Sequence, residues 1–91
     1  MFAVVRLRVP AAQVPAVLAA AGELLAVLAA RPGYRDGAVG RAADDEELLA
    51  VWTSWDGVGA YRRALSAAEA KTAGAPVWQH ALDEPGAYLT D

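Results

Sequence analysis

The chain has 91 residues, 56% of them hydrophobic, and a formal net charge of −3 from eight basic and eleven acidic side chains. That length makes a single domain, 1–91, and the absence of a basic stripe argues against a nucleic-acid partner. With no cysteine, disulfides, thiolate catalysis and cysteine-held metals are excluded. Much of the apolar content is alanine, a good helix former, yet the excess still hints at an interface beyond the domain's own core.

The first element is an alternating strand, Phe2 to Val9. It sets Ala3, Val5, Leu7 and Val9 on one face and Phe2, Val4, Arg6 and Arg8 on the other. The second face mixes apolar and cationic groups, as an interface or a pocket wall does. Pro10 ends the strand, and a helix begins near Ala11 or Ala12 with Pro15 tolerated in its first turn. Val14, Leu18, Ala21, Leu25 and Leu28 recur three and four apart and predict the sheet-facing stripe, widened by Val17, Leu24 and Val27. Val14 to Leu28 is apolar, but Glu23 and Gly22 interrupt it and it is shorter than a membrane span requires. The apolar start is too short for a signal h-region, so no membrane partner and a cytoplasmic, soluble chain are the expectation. Arg31-Pro32-Gly33-Tyr34 closes the helix, with Gly33 placed for a left-handed cap or a turn.

Tyr34 to Ala43 is a weaker strand softened by Gly37 and Gly40. The acidic run from Ala43 to Glu47 predicts a polar hairpin turn, solvated rather than metal-binding. Leu48 to Trp55 is apolar on both faces, which predicts a central strand covered twice, by helices and by a partner chain. Asp56 is placed to cap the next helix, in which Tyr61, Ala64 and Leu65 face inward. Ser66-Ala67-Ala68-Glu69 has capping-box spacing and predicts a restart; Gly74 and Pro76 predict a further break before Val77 to Leu82. Pro85-Gly86 is a turn before a short edge strand, Ala87 to Thr90. The order β-α-β-β-α-β is the split βαβ arrangement of the α+β, ferredoxin-like fold with an antiparallel sheet. Its open sheet face predicts a homodimer.

Chemistry-bearing motifs are scarce. No phosphate-cradling loop, nucleophile elbow or paired-histidine zinc motif is present, and the single histidine, His80, reads first as an exposed or singly hydrogen-bonded helix residue, with a haem ligand or a general base as the functional alternative. No metal site and no cofactor are implied. What remains is an aromatic and arginine set. Trp52 and Trp78 read first as packing residues; with Arg6 and Arg8 they are also candidates for binding a substrate. Trp55 and Tyr61 are the catalytic candidates. They stand at the end of a strand and in the first turns of the next helix, where an indole N–H and a phenol O–H converge on one mouth suited to a small apolar or aromatic molecule.

The Arg31-Pro32-Gly33-Tyr34 turn after an Ala/Leu helix, the strand closing in Trp55, and Tyr61 with Ala64-Leu65 beyond it resemble the antibiotic biosynthesis monooxygenase family. The resemblance spans nearly the whole chain. It implies a dimeric α/β barrel, a homodimer with sheets face to face and helices outside, and a small apolar pocket in each subunit. Some members of that family oxidise reduced polycyclic phenols without metal, flavin or haem. Trp55 and Tyr61 match their tryptophan and the tyrosine six residues on, whereas their asparagine position is Val51, which cannot hydrogen-bond a substrate oxygen. Haem-degrading relatives carry a helical tryptophan at about the position of Ala64 and a histidine beyond it that is absent here. The implied activity is a cofactor-independent oxygenase, with Arg6, Arg8 or Lys71 lowering the phenol's pKa. A non-catalytic dimeric small-molecule binder or accessory protein, or an isomerase or cyclase on the same scaffold, are the alternatives.

Overall fold

The computed structural model describes residues 1–91. Four strands and three helices follow the expected order: β1 (Phe2–Arg8), α1 (Val14–Ala29) after a 3-10 turn at Ala11–Gln13, β2 (Tyr34–Ala42), β3 (Asp45–Trp55), α2 (Val58–Ser66), α3 (Ala68–Trp78) and β4 (Ala87–Tyr88). The sheet is antiparallel throughout, in the order β2-β3-β1-β4, so β4 is an edge and β3 lies inside. All three helices come from the crossovers and share one face. This is the ferredoxin-like α+β fold.

Alternation decides which residues meet the helices. Leu49, Val51, Thr53 and Trp55 of β3 are buried, as are Ala3 and Leu7 of β1. α1 lays Val14, Val17, Ala21, Leu24 and Leu28 on them, a spacing of three and four that makes a narrow stripe. Leu18 and Leu25, expected at its centre, are half-buried on its flanks. With its preceding turn this helical run, Ala11–Ala29, has the length and apolarity of a membrane span, longer than the sequence reading allowed. In the fold it is the core helix.

The Arg31–Tyr34 turn connects the layers. Tyr34 N–H donates to Arg31 O at 3.3 Å, with Pro32 second and Gly33 third at φ 88°, the residue pattern of a type II turn. Gly33 O in turn accepts from Asp56 N–H at 2.8 Å, tying the turn to the end of β3.

Several local expectations are corrected. The hairpin turn is Ala43-Asp44 alone, and β3 begins at Asp45. The acidic side chains are drawn into structure: Asp45 accepts from Arg8 at 2.7 Å and Glu47 from the Ala11 amide at 2.8 Å. Asp56 does not cap α2. Gly57 holds that position without a side-chain cap, and Asp56 pairs with Arg35 at 2.6 Å instead. The helix does restart after Ser66, but Ala67 is the cap residue and Ser66 bonds back to Arg62 O at 2.8 Å. α3 runs unbroken through Gly74 and Pro76. The proline falls in the last turn, so only the end of the helix lies beyond it, and Gly74 makes room for the Trp78 indole, whose Nε1 would lie 2.5 Å from any β-carbon there. The edge strand is two residues long rather than four.

Candidate functional site

Trp55 ends β3 on the helix-facing side and is 1% exposed. The turn before β2 delivers Tyr34 against it, rings edge to face with centroids 5.3 Å apart. α2 delivers Tyr61 against the same indole, at 5.9 Å and 60°. The two catalytic candidates are therefore brought together, with Tyr34 as a third member. Burial pushes the Tyr61 phenol above its usual pKa. It does the same to Tyr34, with the Asp36 carboxylate adding to the effect. Both phenols stay neutral donors across the physiological range.

The indole N–H of Trp55 is enclosed and has no acceptor. A buried donor left unsatisfied costs about 1–3 kcal/mol, and such groups concentrate where a ligand or water completes them. One residue of this neighbourhood escaped the sequence reading. Thr53 is the only buried polar residue, 3% exposed, two positions before Trp55 and on the same face. The signal was present: one hydroxyl in the inward series Leu49, Val51, Thr53, Trp55. Tyr34 reaches toward it, its hydroxyl lying over Gly37, the cross-strand partner of Thr53.

The four substrate-binding candidates do not join this group. Trp52 pairs across with Val4 and Ala38, on the open face of the sheet. Arg6 and Arg8 share that face, and each is occupied. Arg6 grips Glu84 with both ends of its guanidinium, at 2.8 and 2.6 Å, and Arg8 holds Asp45. Glu84 and Asp45 are accordingly held below the usual carboxylate range, chiefly by these hydrogen bonds. Neither arginine reaches Trp55. Trp78 lies on α3, half-buried at the core's edge. His80 differs from its expectation too. It is half-buried with an enclosed Nε2 that has no partner, its backbone carbonyl taking the Arg8 amide at 3.0 Å.

The mouth expected between Trp55 and Tyr61 is closed: the rings pack together and no hollow adjoins either of them. The three that exist lie at the hairpin tip around Asp44 (about 510 Å³), between α1 and α3 beside Glu23 and Glu69 (about 560 Å³), and on the open face beside Gly40 and Leu48 (about 230 Å³). That open face is strongly apolar. Phe2 and Tyr88 stack on it at 5.3 Å while 37% and 44% exposed, and Val4, Leu48, Ala50 and Trp52 continue the patch.

No family model matches the sequence, and no curated protein matches it. Solved structures do. The chain is similar to SnoaB from Streptomyces nogalater, a cofactor-independent oxygenase, at TM-score 0.76 and 21% identity, over 99% of this chain and 91% of that one. A structure described as an antibiotic biosynthesis monooxygenase matches at TM-score 0.78 and 15% identity, over 100% and 97%. A conserved protein from Methanosarcina mazei Go1 matches at TM-score 0.78 and 17% identity, over 94% and 84%. The fold is thus that of antibiotic biosynthesis monooxygenase proteins, along the whole chain.

Proposed function

We propose that the protein is a cofactor-independent monooxygenase-like protein that takes a small aromatic, polyketide-type compound between sheet and helices, at Trp55 and Tyr61. The observation that carries the reading is the enclosed indole N–H of Trp55 without an acceptor, beside the half-buried Tyr61 phenol, whose ring lies 5.9 Å away. A ligand oxygen would satisfy both donors. The whole-length likeness in fold to a cofactor-independent oxygenase supports the same chemistry.

The reaction suited to such a site needs orientation and charge stabilisation more than acid–base groups. An anthrone-type phenol loses a proton and its anion passes one electron to dioxygen. The resulting radicals combine into a peroxide, and loss of water leaves the quinone. Donors from Trp55 and Tyr61 hold the ligand's oxygen and favour its anion. The arginines are spent on Glu84 and Asp45, so no cation of β1 serves here.

Ligand entry requires α2 to move, because the core around Trp55 is filled. α2 is the wall this reading would move, since it buries only Ala60 and Ala64 and is separated from α3 by an extended residue, Ala67. The same filled core favours the second reading, a dimer that binds or assists without catalysis. In either reading two copies meet through the open sheet face, whose apolar patch of Phe2, Val4, Trp52 and Tyr88 no element of the chain covers, and whose arginines are already neutralised within the chain.

The test is oxygen uptake by the metal-free protein with 1,8-dihydroxyanthrone and simple hydroquinones, beside Trp55→Phe and Tyr61→Phe. The expected result is uptake above the spontaneous rate that falls in both variants. Uptake no faster than in buffer overturns the enzyme; quenching of tryptophan fluorescence by the same compounds then favours the binding protein.

A further inference from the structure

Tyr34, Trp55 and Tyr61 form one unbroken run of redox-active rings, with successive centroids 5.3 and 5.9 Å apart. The run begins at the half-buried Tyr61, passes through the fully buried Trp55, and ends at Tyr34 beneath the Arg31–Tyr34 turn. From this geometry we infer that Trp55 and Tyr34 are a path for single oxidising equivalents, carrying a hole from the buried indole to the half-buried Tyr34 ring.

The direction follows from where protons can go. A one-electron oxidant near Trp55, such as an oxygen-centred peroxyl radical, takes an electron from the indole and becomes its anion, leaving the indole radical cation. An oxidised indole is normally quenched by losing its N–H proton. Here that N–H has no acceptor, so the radical cation keeps its proton and stays strongly oxidising. It is therefore reduced by a neighbouring ring. Tyr34 supplies the electron, its phenol proton leaves to water, and Trp55 returns to its neutral form. Tyr34 is favoured over Tyr61 because it is the nearer ring and the shallower one. The phenoxyl radical at Tyr34 is then reduced by a dissolved thiol, which gives it a hydrogen atom and leaves as a thiyl radical. The path gives this core a means of discharging stray oxidation without loss of Trp55.

The inference does not need the oxygenase reading, and its test is separate from oxygen uptake. Trp52→Phe with Trp78→Phe leaves Trp55 as the sole tryptophan, and near-ultraviolet laser photoionisation then places the hole on it, with nitrous oxide removing the ejected electron. Decay of the indole radical should be matched by growth of a phenoxyl signal, first order and independent of protein concentration. Adding Tyr34→Phe should remove most of that phenoxyl signal and prolong the indole radical, whereas Tyr88→Phe should change neither. Absence of phenoxyl growth in the parent, growth that scales with protein concentration, or growth undiminished by Tyr34→Phe overturns the inference. Circular dichroism of each variant verifies the fold. Should the double tryptophan variant unfold, the comparison of Tyr34→Phe with Tyr88→Phe in the wild-type background decides it by the same loss of signal.

Discussion

Gly33 lies so close to Ala60 that a β-carbon on the glycine would stand 2.5 Å from the alanine's own. This approach seats the turn after α1 on α2, and the Asp56 N–H bond to Gly33 O ties the same turn to the end of β3, beside the Tyr34–Trp55 contact. The glycine is doubly required, since its φ of 88° is also closed to most L-residues. Gly33→Ala should therefore lose about 2 kcal/mol or more, combining left-handed strain with overpacking. Urea denaturation followed by tryptophan fluorescence measures it; a change below about 0.5 kcal/mol would mean that α2 shifts freely away.

Gly37 and Gly40, both on β2, should respond in opposite ways. A β-carbon at Gly37 would come within 2.6 Å of the Tyr34 hydroxyl and 2.8 Å of the Trp52 carbonyl oxygen. The second of these is backbone and cannot retreat. At Gly40 nothing lies within 4 Å. Gly37→Ala should cost about 1–3 kcal/mol by overpacking. Gly40→Ala should be neutral or gain up to about 1 kcal/mol from reduced freedom of the unfolded chain. Equal effects in the two denaturation curves would refute the assignment of faces on β2.

These contrasts mark how far the sequence could be read. Element order and the two faces of β1 were legible, because alternation and the breakers Pro10, Pro32 and Gly33 act locally. The separation of Trp55 from Trp52 onto opposite faces follows from the same alternation. Partners were not legible. Arg6 and Glu84 are 78 positions apart, so nothing local announces that this arginine is occupied. Capping failed for a finer reason. Asp56 and Ser66 are each one residue before the actual cap, and a shift of one places the side chain beside a different partner. Thr53 was hidden by β-propensity, since threonine suits a strand and draws no attention there.

Acid should weaken the two ion pairs anchored on β1. Glu84 and Asp45 are held below their ordinary values of 4.5 and 3.8, mainly by hydrogen bonds from Arg6 and Arg8. A carboxylate with a depressed folded pKa contributes stability that is present above its unfolded pKa and is lost as pH falls through the folded one. The contribution should thus be intact at neutral pH and decline below about 4.5. Both pairs are exposed, so the effect is small and weakens with salt. Urea midpoints measured from neutral pH down to strong acid should fall less steeply for Glu84→Gln than for the wild type. Parallel curves would show that the Arg6–Glu84 pair adds nothing.

Replacing Trp52 by lysine should separate the two roles of the sheet. Trp52 stands at the centre of the open face, opposite Val4 and Ala38, and takes no part in the core that holds Trp55. In a single chain a lysine there can extend into water along its aliphatic stem, so the fold should survive. In a face-to-face dimer the symmetric arrangement brings both copies of the patch together, and an unpaired buried charge costs several kcal/mol. Sedimentation at micromolar concentration should show the wild type as a dimer and Trp52→Lys as a monomer with unchanged circular dichroism. A wild-type monomer would remove the open face as an interface. A variant that remains dimeric would place the contact on the helical side, where the small residues of α1 are exposed.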